Sequence, residues 1–335
     1  MLNKSLPKIK VNARGIAAFK NRPVKLFDGS CIKQVGVKGE VVCIHMCHHL
    51  TQSCMNEVHV SDQHMAESVA LFNISPGSIY IGDAGYGKGK NLEYIVTRQA
   101  DALLRVTPSH LILSEDVKGK RRIDMTKKLE TKEDVLDFTC YVHTENRKYT
   151  AARIVASRLP EDKAKEAIKR KKRNASKKQY VLKEETLIYG QWVILMTSLG
   201  EEFSALDILA LYRARWQVEL LFKRIKQFLK VKRLKAATLR HSIALVLLWL
   251  IIWALTEREA VAAEMLLLSK QADMSRYSPW MMCGFFFHWL KATINCLLAL
   301  CFDPARDLLD VYHRLRNHKS SRLNQFASLR FGCAC

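Results

Sequence analysis

The amino-acid sequence predicts an α/β protein: a mixed β-sheet flanked by helices, then a β-rich insertion and a helical C-terminal part. Short apolar runs separated by glycine, aspartate or serine dominate the first hundred residues and indicate strands. From about residue 112 to 199, charged segments alternate with β-rich pieces, which indicates an insertion with strands of its own. After Ser204 the apolar residues recur at helical spacing, so the rest of the chain is predicted to be helical.

The first hundred residues contain predicted strands and helices in the order β-β-β-α-β-α-β. The strands are Val24–Phe27, Val41–Met46, Met55–Val60, Ser78–Ile81 and Ala102–Val106. A first helix, Asp62–Phe72, is predicted to begin after Ser61 or Asp62 as N-cap, and a second, Lys90–Gln99, follows a glycine-rich turn. This order indicates a mixed sheet with helices on its faces.

The insertion is predicted to combine strands with one strongly basic segment. Its β-rich pieces are Phe138–His143, Thr150–Ser157 and Leu187–Thr197. Lys163–Lys178 is predicted to be a helix that runs into a basic loop, and its charges fit a solvated face and contact with DNA equally well. The helices predicted after Ser204 are Ala205–Lys230, Leu239–Leu268 and Pro279–Leu300.

The charge of the chain points to a polyanionic partner. Its 335 residues are 49% hydrophobic, which is typical of a globular protein with a sizeable core. The 54 lysines and arginines exceed the 32 aspartates and glutamates and give a formal net charge of +22. Such a charge would repel a compact chain unless a polyanion neutralised part of it. Nucleic acid is therefore the predicted partner.

Two apolar stretches are candidates for membrane spans, and both are interpreted otherwise. Ile243–Leu255 has only 13 residues, whereas a spanning helix needs about 20, so a buried core helix is predicted. Met281–Phe302 is long enough but contains His288, Lys291 and Asn295, which are costly within a bilayer. The sequence shows neither a secretory h-region nor a lipidation motif, so we expect a soluble cytoplasmic protein.

The ten cysteines are predicted to be reduced thiols, because their spacing is irregular and no CxxC pair occurs. One dense patch combines cysteines and histidines: Cys43, His45, Cys47, His48, His49, Cys54, His59 and His64. Alternation along a strand places the first three of these on one face. Packing of small apolar cysteines between adjacent strands explains the patch better than a zinc site, whose usual ligand spacing is absent.

Two aspartates are predicted to lie where strands end. Asp28 follows the first strand and precedes Gly29, while Asp83 follows the strand that ends at Gly82. Phosphoryl transfer to DNA needs two divalent cations about 3.5–4 Å apart, which are held by carboxylates. An aspartate at such a junction is more often a turn former, so the pair indicates a metal site only with a third carboxylate.

A candidate third carboxylate lies on a predicted helix. Steps of 3, 4 and 7 residues place Tyr212, Arg215, Glu219 and Lys226 along one stripe. This stripe suits a metal ligand, Glu219, flanked by cations that hold phosphates. An ordinary surface helix with an Arg215–Glu219 ion pair would show the same spacing.

The spacing Tyr-x2-Arg-x3-Glu-x6-Lys resembles the signature of a family of bacterial insertion-sequence transposases of the DDE type, and the four residues of the stripe match it. Asp28-Gly29-Ser30 is similar to that family's first aspartate motif. Residues 81–86 are similar to its second, although Ala84 stands where relatives have an arginine, so a phosphate contact from that position is lost. Val42–His45 and Val60–Asp62 also resemble the strands between the two aspartates. The resemblance covers about residues 24 to 265.

The resemblance implies a ribonuclease-H-like catalytic core, with the insertion between the second aspartate and the glutamate. It implies that Asp28, Asp83 and Glu219 are catalytic and hold two Mg²⁺ or Mn²⁺ ions. Tyr212, Arg215 and Lys226 would contact DNA phosphates at the transposon end, and Arg105 is a further candidate contact. Hydrolysis of a phosphodiester would precede strand transfer by the freed 3′-OH. The implied assembly is a homodimer on inverted-repeat ends and target DNA, associated with the bacterial nucleoid.

Five regions are expected along the chain. Residues 1–23 form a short basic segment, interpreted as the remnant of a DNA-binding region, because relatives carry a helical domain before the first aspartate. Residues 24–110 form the first part of the core and 111–200 the insertion. Residues 201–270 contain the catalytic helix and the rest of the core, and 271–335 form a helical C-terminal region.

Two other functions fit parts of the sequence. Gly82–Gly89 nearly matches a phosphate-binding loop of ATPases, but Gly89 lacks the hydroxyl that binds magnesium. An inactive transposase remnant that only binds DNA would use the same charge and the same basic runs. These runs are Lys118–Arg122, Lys169–Arg173 and Lys230–Lys235.

Two tryptophans suggest base stacking, since transposon ends are often unpaired near the cleavage site. Trp192 is predicted instead to be a core residue. Trp216 is predicted to pack beneath the face of the catalytic helix.

Overall fold

The structure is a computed structural model that describes residues 19, 22–33, 41–50, 54–62, 64–65, 67–145, 148–228, 238–269, 284 and 286–293. Described residues up to Lys226, together with those from Thr238 to Val246, form one compact unit. Residues 227–228 and the described residues from Leu247 onward belong to a second unit. The sheet and the candidate site lie in the first.

Strands and helices follow each other along the chain as the two periodicities of the sequence predict. The strands are β1 (Val24–Lys33), β2 (Val41–His49), β3 (Cys54–Ser61), β4 (Ile79–Gly82), β5 (Asp101–Arg105), β6 (Leu113–Ser114), β7 (Val135–His143), β8 (Tyr149–Arg158) and β9 (Trp192–Thr197). The α-helices are α1 (Gly89–Val96), α2 (Met125–Leu129), α3 (Glu161–Lys178), α4 (Glu184–Tyr189), α5 (Ala205–Arg213), α6 (Trp216–Phe228) and α7 (Leu239–Ser269). Short 3-10 helices cover Val69–Leu71 and Pro108–His110.

Nine strands of the described chain form one mixed sheet in the order β3-β2-β1-β4-β5-β9-β8-β7-β6. The pairs β1–β4 and β4–β5 are parallel, and the other neighbours are antiparallel. The predicted mixed sheet with helices is confirmed. The strands between residues 111 and 200 do not form a sheet of their own, because β9 pairs with both β5 and β8.

An aromatic cluster fixes the orientation of β1. The ring of Phe27 stacks on the rings of Phe72, Tyr80 and Tyr86 at centroid distances of 4.9, 5.0 and 5.5 Å. All four rings are buried in one hydrophobic core. Successive side chains of a strand point to opposite faces, so anchoring Phe27 in this core directs Asp28 to the other face of the sheet.

The first predicted helix, Asp62–Phe72, is wrong. The described residues of this segment contain only the 3-10 turn Val69–Leu71, which Ser68 caps through the amide of Ala70. Ser61, one of the two predicted N-caps, is the last residue of β3, and its hydroxyl lies 3.0 Å from His45 Nε2. It is therefore not available to begin a helix.

The insertion differs from its prediction in two places. The basic segment remains helical throughout α3 and ends at Gln179, whose φ of 55° is left-handed, so no basic loop begins before Lys178. Leu187–Tyr189, predicted as strand, completes α4. Glu184 and Glu185 occupy the first turn of α4, where negative charge stabilises a helix.

Helix α7 confirms the helix predicted over Leu239–Leu268 and has 31 residues. Its apolar stretch, Ile243–Leu255, is less buried than the predicted core helix. Leu247, Leu248 and Ile251 are exposed although Leu250 is buried, so the helix is not buried on all sides. Among the described residues, only Leu239–Ala260 is long and apolar enough to cross a membrane, and 28% of its most apolar stretch is buried. One such helix is weak evidence for a span, because a core helix of a soluble protein has the same composition.

The prediction that all the cysteines are reduced thiols is wrong for one pair. Strand register places Cys31 opposite Cys43, and the structure joins them in a disulfide rather than leaving both reduced. Cys47 and Cys140 are free and buried. Within the described residues, no group of three or more histidines, cysteines or acids lies close enough to hold a metal ion. The described members of the cysteine and histidine patch form no such group either.

Candidate active site

The two predicted aspartates lie side by side on neighbouring parallel strands. The last register pair between β1 and β4 joins Leu26 to Ile81. Asp28 and Asp83 each follow by two residues, so both side chains leave the same face of the sheet where β4 ends. Asp28 is not at the tip of its strand as predicted, because β1 continues to Lys33 along its antiparallel partner β2.

A backbone amide orients each aspartate. The N–H of Gly29 donates to Asp28 Oδ1, and the N–H of Gly85 donates to Asp83 Oδ1, both at 2.9 Å. Both carboxylates are only partly exposed. Among the described residues, no hydrogen bond to the second oxygen of either carboxylate is seen.

The helical stripe of the sequence is carried by two helices instead of one. Ser204 and Asp207 form a capping box that begins α5, which ends at Arg213. The amides of Ala214 and Arg215 donate three residues back, to Leu211 and Tyr212, and this tighter turn separates α5 from α6. The prediction of a continuous helix over Ala205–Lys230 is therefore wrong.

Helix α6 is tethered to the strand that carries the first aspartate. Lys226 Nζ donates a hydrogen bond of 2.5 Å to Ser30 Oγ, two residues beyond Asp28. The pKa of Lys226 is lowered by burial, and the charge of Asp28 opposes that shift. Since Glu219 lies seven residues before Lys226, this contact brings the stripe of α6 to the edge where Asp28 projects.

Arg215 connects the other members of the stripe. Its guanidinium donates to Glu219 Oε1 and lies 5.9 Å from the centre of the Tyr212 ring. The side chain of Arg215 is 15% exposed and that of Glu219 45%. In this arrangement the ion pair occupies one carboxylate oxygen of Glu219.

The charged form of Asp28 is destabilised, chiefly by burial. Burial raises the pKa of Asp28 to about 6; the Gly29 amide and Arg215 oppose the shift, and Asp83 and Glu219 add to it. A partly buried carboxylate with two like charges nearby favours a bound cation. Asp28 and Asp83 fit a divalent cation as hard oxygen donors. Glu219 accepts a hydrogen bond from Arg215.

Arg105 lies outside the carboxylate group but next to it. It ends β5, and its charge acts on both Tyr212 and Lys171. Burial, Arg105 and Arg170 all lower the pKa of Lys171. This cation cluster was missed from the sequence, since α3 and β5 are more than fifty residues apart and only the fold joins them.

The glycines of residues 82–89 are explained by packing. A Cβ on Gly87 would lie 2.0 Å from the carbonyl oxygen of Arg105, and one on Gly89 would lie 2.1 Å from that of His143. Both glycines therefore face protein backbone at close approach instead of a phosphate. This removes the reason to interpret Gly82–Gly89 as an ATPase loop.

The sequence missed one carboxylate near the aspartates, Glu67. Its pKa is raised by burial and by the charge of Asp83. No motif of the sequence singled it out.

The tryptophan predictions had opposite outcomes. Trp192 is 3% exposed and its core prediction is confirmed. Trp216 is 58% exposed and does not pack beneath its helix.

The fold and the site define a mixed α/β protein that gathers acidic side chains where two parallel strands and a helix meet. Residues 36–255 match the family model described as the transposase DDE domain. The chain belongs to this family. The matched region includes Asp83 and Glu219 and begins after Asp28.

Curated proteins similar to this chain are also described as transposases. The chain is 30% identical over 241 residues to the putative transposase InsL for insertion sequence element IS186A of Escherichia coli (strain K12), and equally to the transposase for insertion sequence element IS421 of Escherichia coli. Each alignment covers 68% of this chain and 63% of the relative, so the chain spans less than two thirds of these proteins.

Proposed function

We propose that the chain is a DNA transposase that hydrolyses a phosphodiester at the ends of an insertion sequence and then transfers the freed strand. The family and its relatives support the class of enzyme. The observation that carries the proposal is the register of β1 and β4, which sets Asp28 beside Asp83, with α6 tethered to β1 through Lys226.

We also propose that the catalytic core is ribonuclease-H-like. Support comes from the strand order β3-β2-β1-β4-β5, in which the first three strands are antiparallel and β4 and β5 run parallel to β1. The five expected regions of the chain stay a proposal about its sequence, and the strands of residues 111–200 extend the core sheet.

Asp28, Asp83 and Glu219 are the proposed ligands of two Mg²⁺ or Mn²⁺ ions. When bound, such ions polarise the phosphoryl oxygens and lower the pKa of a water molecule. The chain's own part is to orient the two aspartates through the amides of Gly29 and Gly85. Arg215 restrains Glu219 beside them.

DNA is the proposed partner, and its phosphates are the proposed contacts of Tyr212, Arg215, Lys226 and Arg105. The charges of Arg105 and Arg170 both act on Lys171 and lower its pKa, so positive charge is shared between the end of β5 and α3. Like charges held together in this way favour a polyanion. The proposed assembly is a homodimer on DNA in the bacterial cytoplasm, associated with the nucleoid.

The test compares wild type with Glu219→Gln on DNA that carries the ends of the element. The expected result is Mg²⁺- or Mn²⁺-dependent nicking and strand joining by the wild type, and a loss of at least about a hundredfold in Glu219→Gln, because the amide is neutral and a weaker metal ligand. Glu166→Gln is the matched control, since Glu166 is exposed on α3 and pairs only with Lys163 among the described residues.

Two outcomes would contradict the proposal. Equal products from wild type and Glu219→Gln would remove Glu219 from the reaction. Tight DNA binding without products from the wild type, in either ion, would instead support the inactive DNA-binding remnant, which the net charge of +22 also suits.

A further inference from the structure

Glu67 lies between the two glycines that follow the catalytic aspartates. A Cβ on Gly85 would lie 2.0 Å from Glu67 Oε2, and a Cβ on Gly29 would lie 2.5 Å from Glu67 Oε1. Both distances are far shorter than any non-bonded contact between carbon and oxygen. One oxygen of the Glu67 carboxylate is therefore packed against strand β1 at Gly29 and the other against the turn at Gly85, in space that only glycine leaves open.

The same two glycines orient the aspartates. Gly29 donates its amide hydrogen to Asp28, and Gly85 donates its amide hydrogen to Asp83. The Glu67 carboxylate fills the space beside both glycines as a wedge, so its position is coupled to the position of the two amides. A shift of Glu67 would thus be transmitted to Asp28 and Asp83 without any direct contact with a reacting group.

The surroundings of Glu67 favour a nearby cation. Burial and the charge of Asp83 raise the pKa of Glu67, and Lys88 opposes this shift. The hydroxyl of Tyr86 is buried and has no hydrogen-bond partner among the described residues. After burial, the charges of Glu67, Asp28 and Asp83 are the largest causes that raise the pKa of Tyr86, so its hydroxyl lies close to three carboxylates.

We propose that Glu67 is a positioning residue of the catalytic centre: it packs against β1 at Gly29 and against the turn at Gly85, and its negative charge strengthens the binding of divalent cations by Asp28 and Asp83. This inference rests on the proposed function, because it assumes that the two aspartates bind those cations. Outer groups that orient metal ligands commonly change metal affinity or activity by about 10–100-fold when they are replaced.

The decisive measurement is Mn²⁺ binding to the full chain without DNA, followed by electron paramagnetic resonance, for wild type, Glu67→Gln and Glu67→Ala. Glu67→Gln preserves the shape of the wedge and removes its charge, and we expect its Mn²⁺ affinity to fall at least about tenfold while its thermal midpoint without metal stays unchanged. Glu67→Ala also removes the wedge and is expected to bind more weakly still. The control is again Glu166→Gln, which should bind as the wild type does.

A second variant tests the wedge itself. Gly85→Ala places a methyl group where Glu67 Oε2 lies, so it should displace the carboxylate and weaken Mn²⁺ binding to the level of Glu67→Ala. The double variant Gly85→Ala/Glu67→Ala should then be no weaker than either single variant, because both remove the same contact.

The outcomes separate this inference from the proposed function. Wild-type Mn²⁺ affinity in Glu67→Gln would overturn the role of its charge, and additive effects in the double variant would overturn the wedge, whether or not the protein cuts DNA. Mn²⁺ binding that depends on Glu67, in a chain that yields no DNA products, would support the inference and contradict the proposed function. A wild type that binds no Mn²⁺ would overturn both.

Discussion

At the scale of single residues, Gly87 is a position where an added methyl group would meet backbone atoms at close range. A Cβ there would lie 2.0 Å from the carbonyl oxygen of Arg105 and 3.1 Å from the Cα of Val106. Both are backbone atoms, so neither can rotate away. We expect Gly87→Ala to lower the free energy of unfolding by about 1–3 kcal/mol, measured by urea denaturation, because overpacking forces backbone shifts of that cost.

Gly190→Ala is the matched control for this substitution. The nearest atoms to its Cβ would be the oxygen of Leu187 and the flexible end of Lys171, both at 3.2 Å. The change in unfolding free energy should stay below about 1 kcal/mol, because the backbone conformation of Gly190 suits alanine and the lysine can move. Equal urea midpoints for the two variants would contradict the close approach at Gly87.

Single residues also show where sequence reasoning stops. Asp28, Asp83 and Glu219 were found because each lies within a local pattern of strand ends or helical spacing. Glu67 lies in no such pattern, because its contacts are with Gly29, 38 residues before it, and with Gly85, 18 residues after it. Those contacts exist only once β1 and β4 pair, and pairing is decided by the whole sheet.

At the scale of elements, Arg153 links the sheet to the helices that carry the stripe. From β8 its Nε and Nη2 donate to the two carboxylate oxygens of Asp137 on β7, at 2.7 and 2.5 Å. Its Nη1 donates to the carbonyl oxygens of Gly200 and Phe203, at 2.6 and 2.7 Å. Both carbonyls precede α5, so this side chain holds the segment that leads into α5.

We expect Arg153→Lys to lower the free energy of unfolding by about 2–3 kcal/mol, because an ammonium cannot reproduce the planar fork and would leave charged or carbonyl acceptors unpaired. The side chain of Arg153 is only 8% exposed, which limits compensation by water. Urea denaturation measures the loss. A change as small as that expected for Lys165→Ala, below about 0.5 kcal/mol for an exposed i,i+4 pair with Glu161, would refute the anchoring role.

Element types, and the bounds of β8, α3 and α7 to within two residues, were predictable wherever a long local period existed. Boundaries that depend on tertiary partners were not. The strands β2, β7 and β8 and the helix α3 follow from alternation or helical spacing. By contrast, β1 is extended by its pairing with β2, and the helix through Tyr212 and Glu219 is interrupted where Ala214 and Arg215 bond three residues back. Neither effect is visible in the local sequence, because both depend on partners supplied by the fold.

At the scale of the whole molecule, the insertion and the core share one sheet. Strand β9 returns from the insertion to pair with β5, directly beside the parallel strands that carry the aspartates. This pairing brings α3, from the insertion, to the end of β5, where Lys171 adjoins Arg105. A sequence boundary near residue 111 is thus not a structural boundary, and positive charge from both parts converges on one side of the carboxylates.

The cation cluster at the end of β5 predicts a strong salt dependence of DNA binding. Binding of duplex DNA should weaken steeply as salt rises, because each phosphate that the protein neutralises adds about −0.9 to the slope of log K against log salt concentration. If Arg170 and Lys171 each contact a phosphate, Arg170→Ala/Lys171→Ala should reduce the magnitude of this slope by about 2, as followed by fluorescence anisotropy from low to physiological salt.

The same helix offers the control, Lys163→Ala/Lys165→Ala. It removes the same formal charge, but these lysines already pair with Glu166 and Glu161. Its slope should therefore change far less. Equal slopes for the two double variants would show that the net charge of the chain, and not the cluster at the end of β5, governs DNA binding. A smaller slope only when Arg170 and Lys171 are removed would assign DNA phosphates to the cation cluster that the shared sheet assembles.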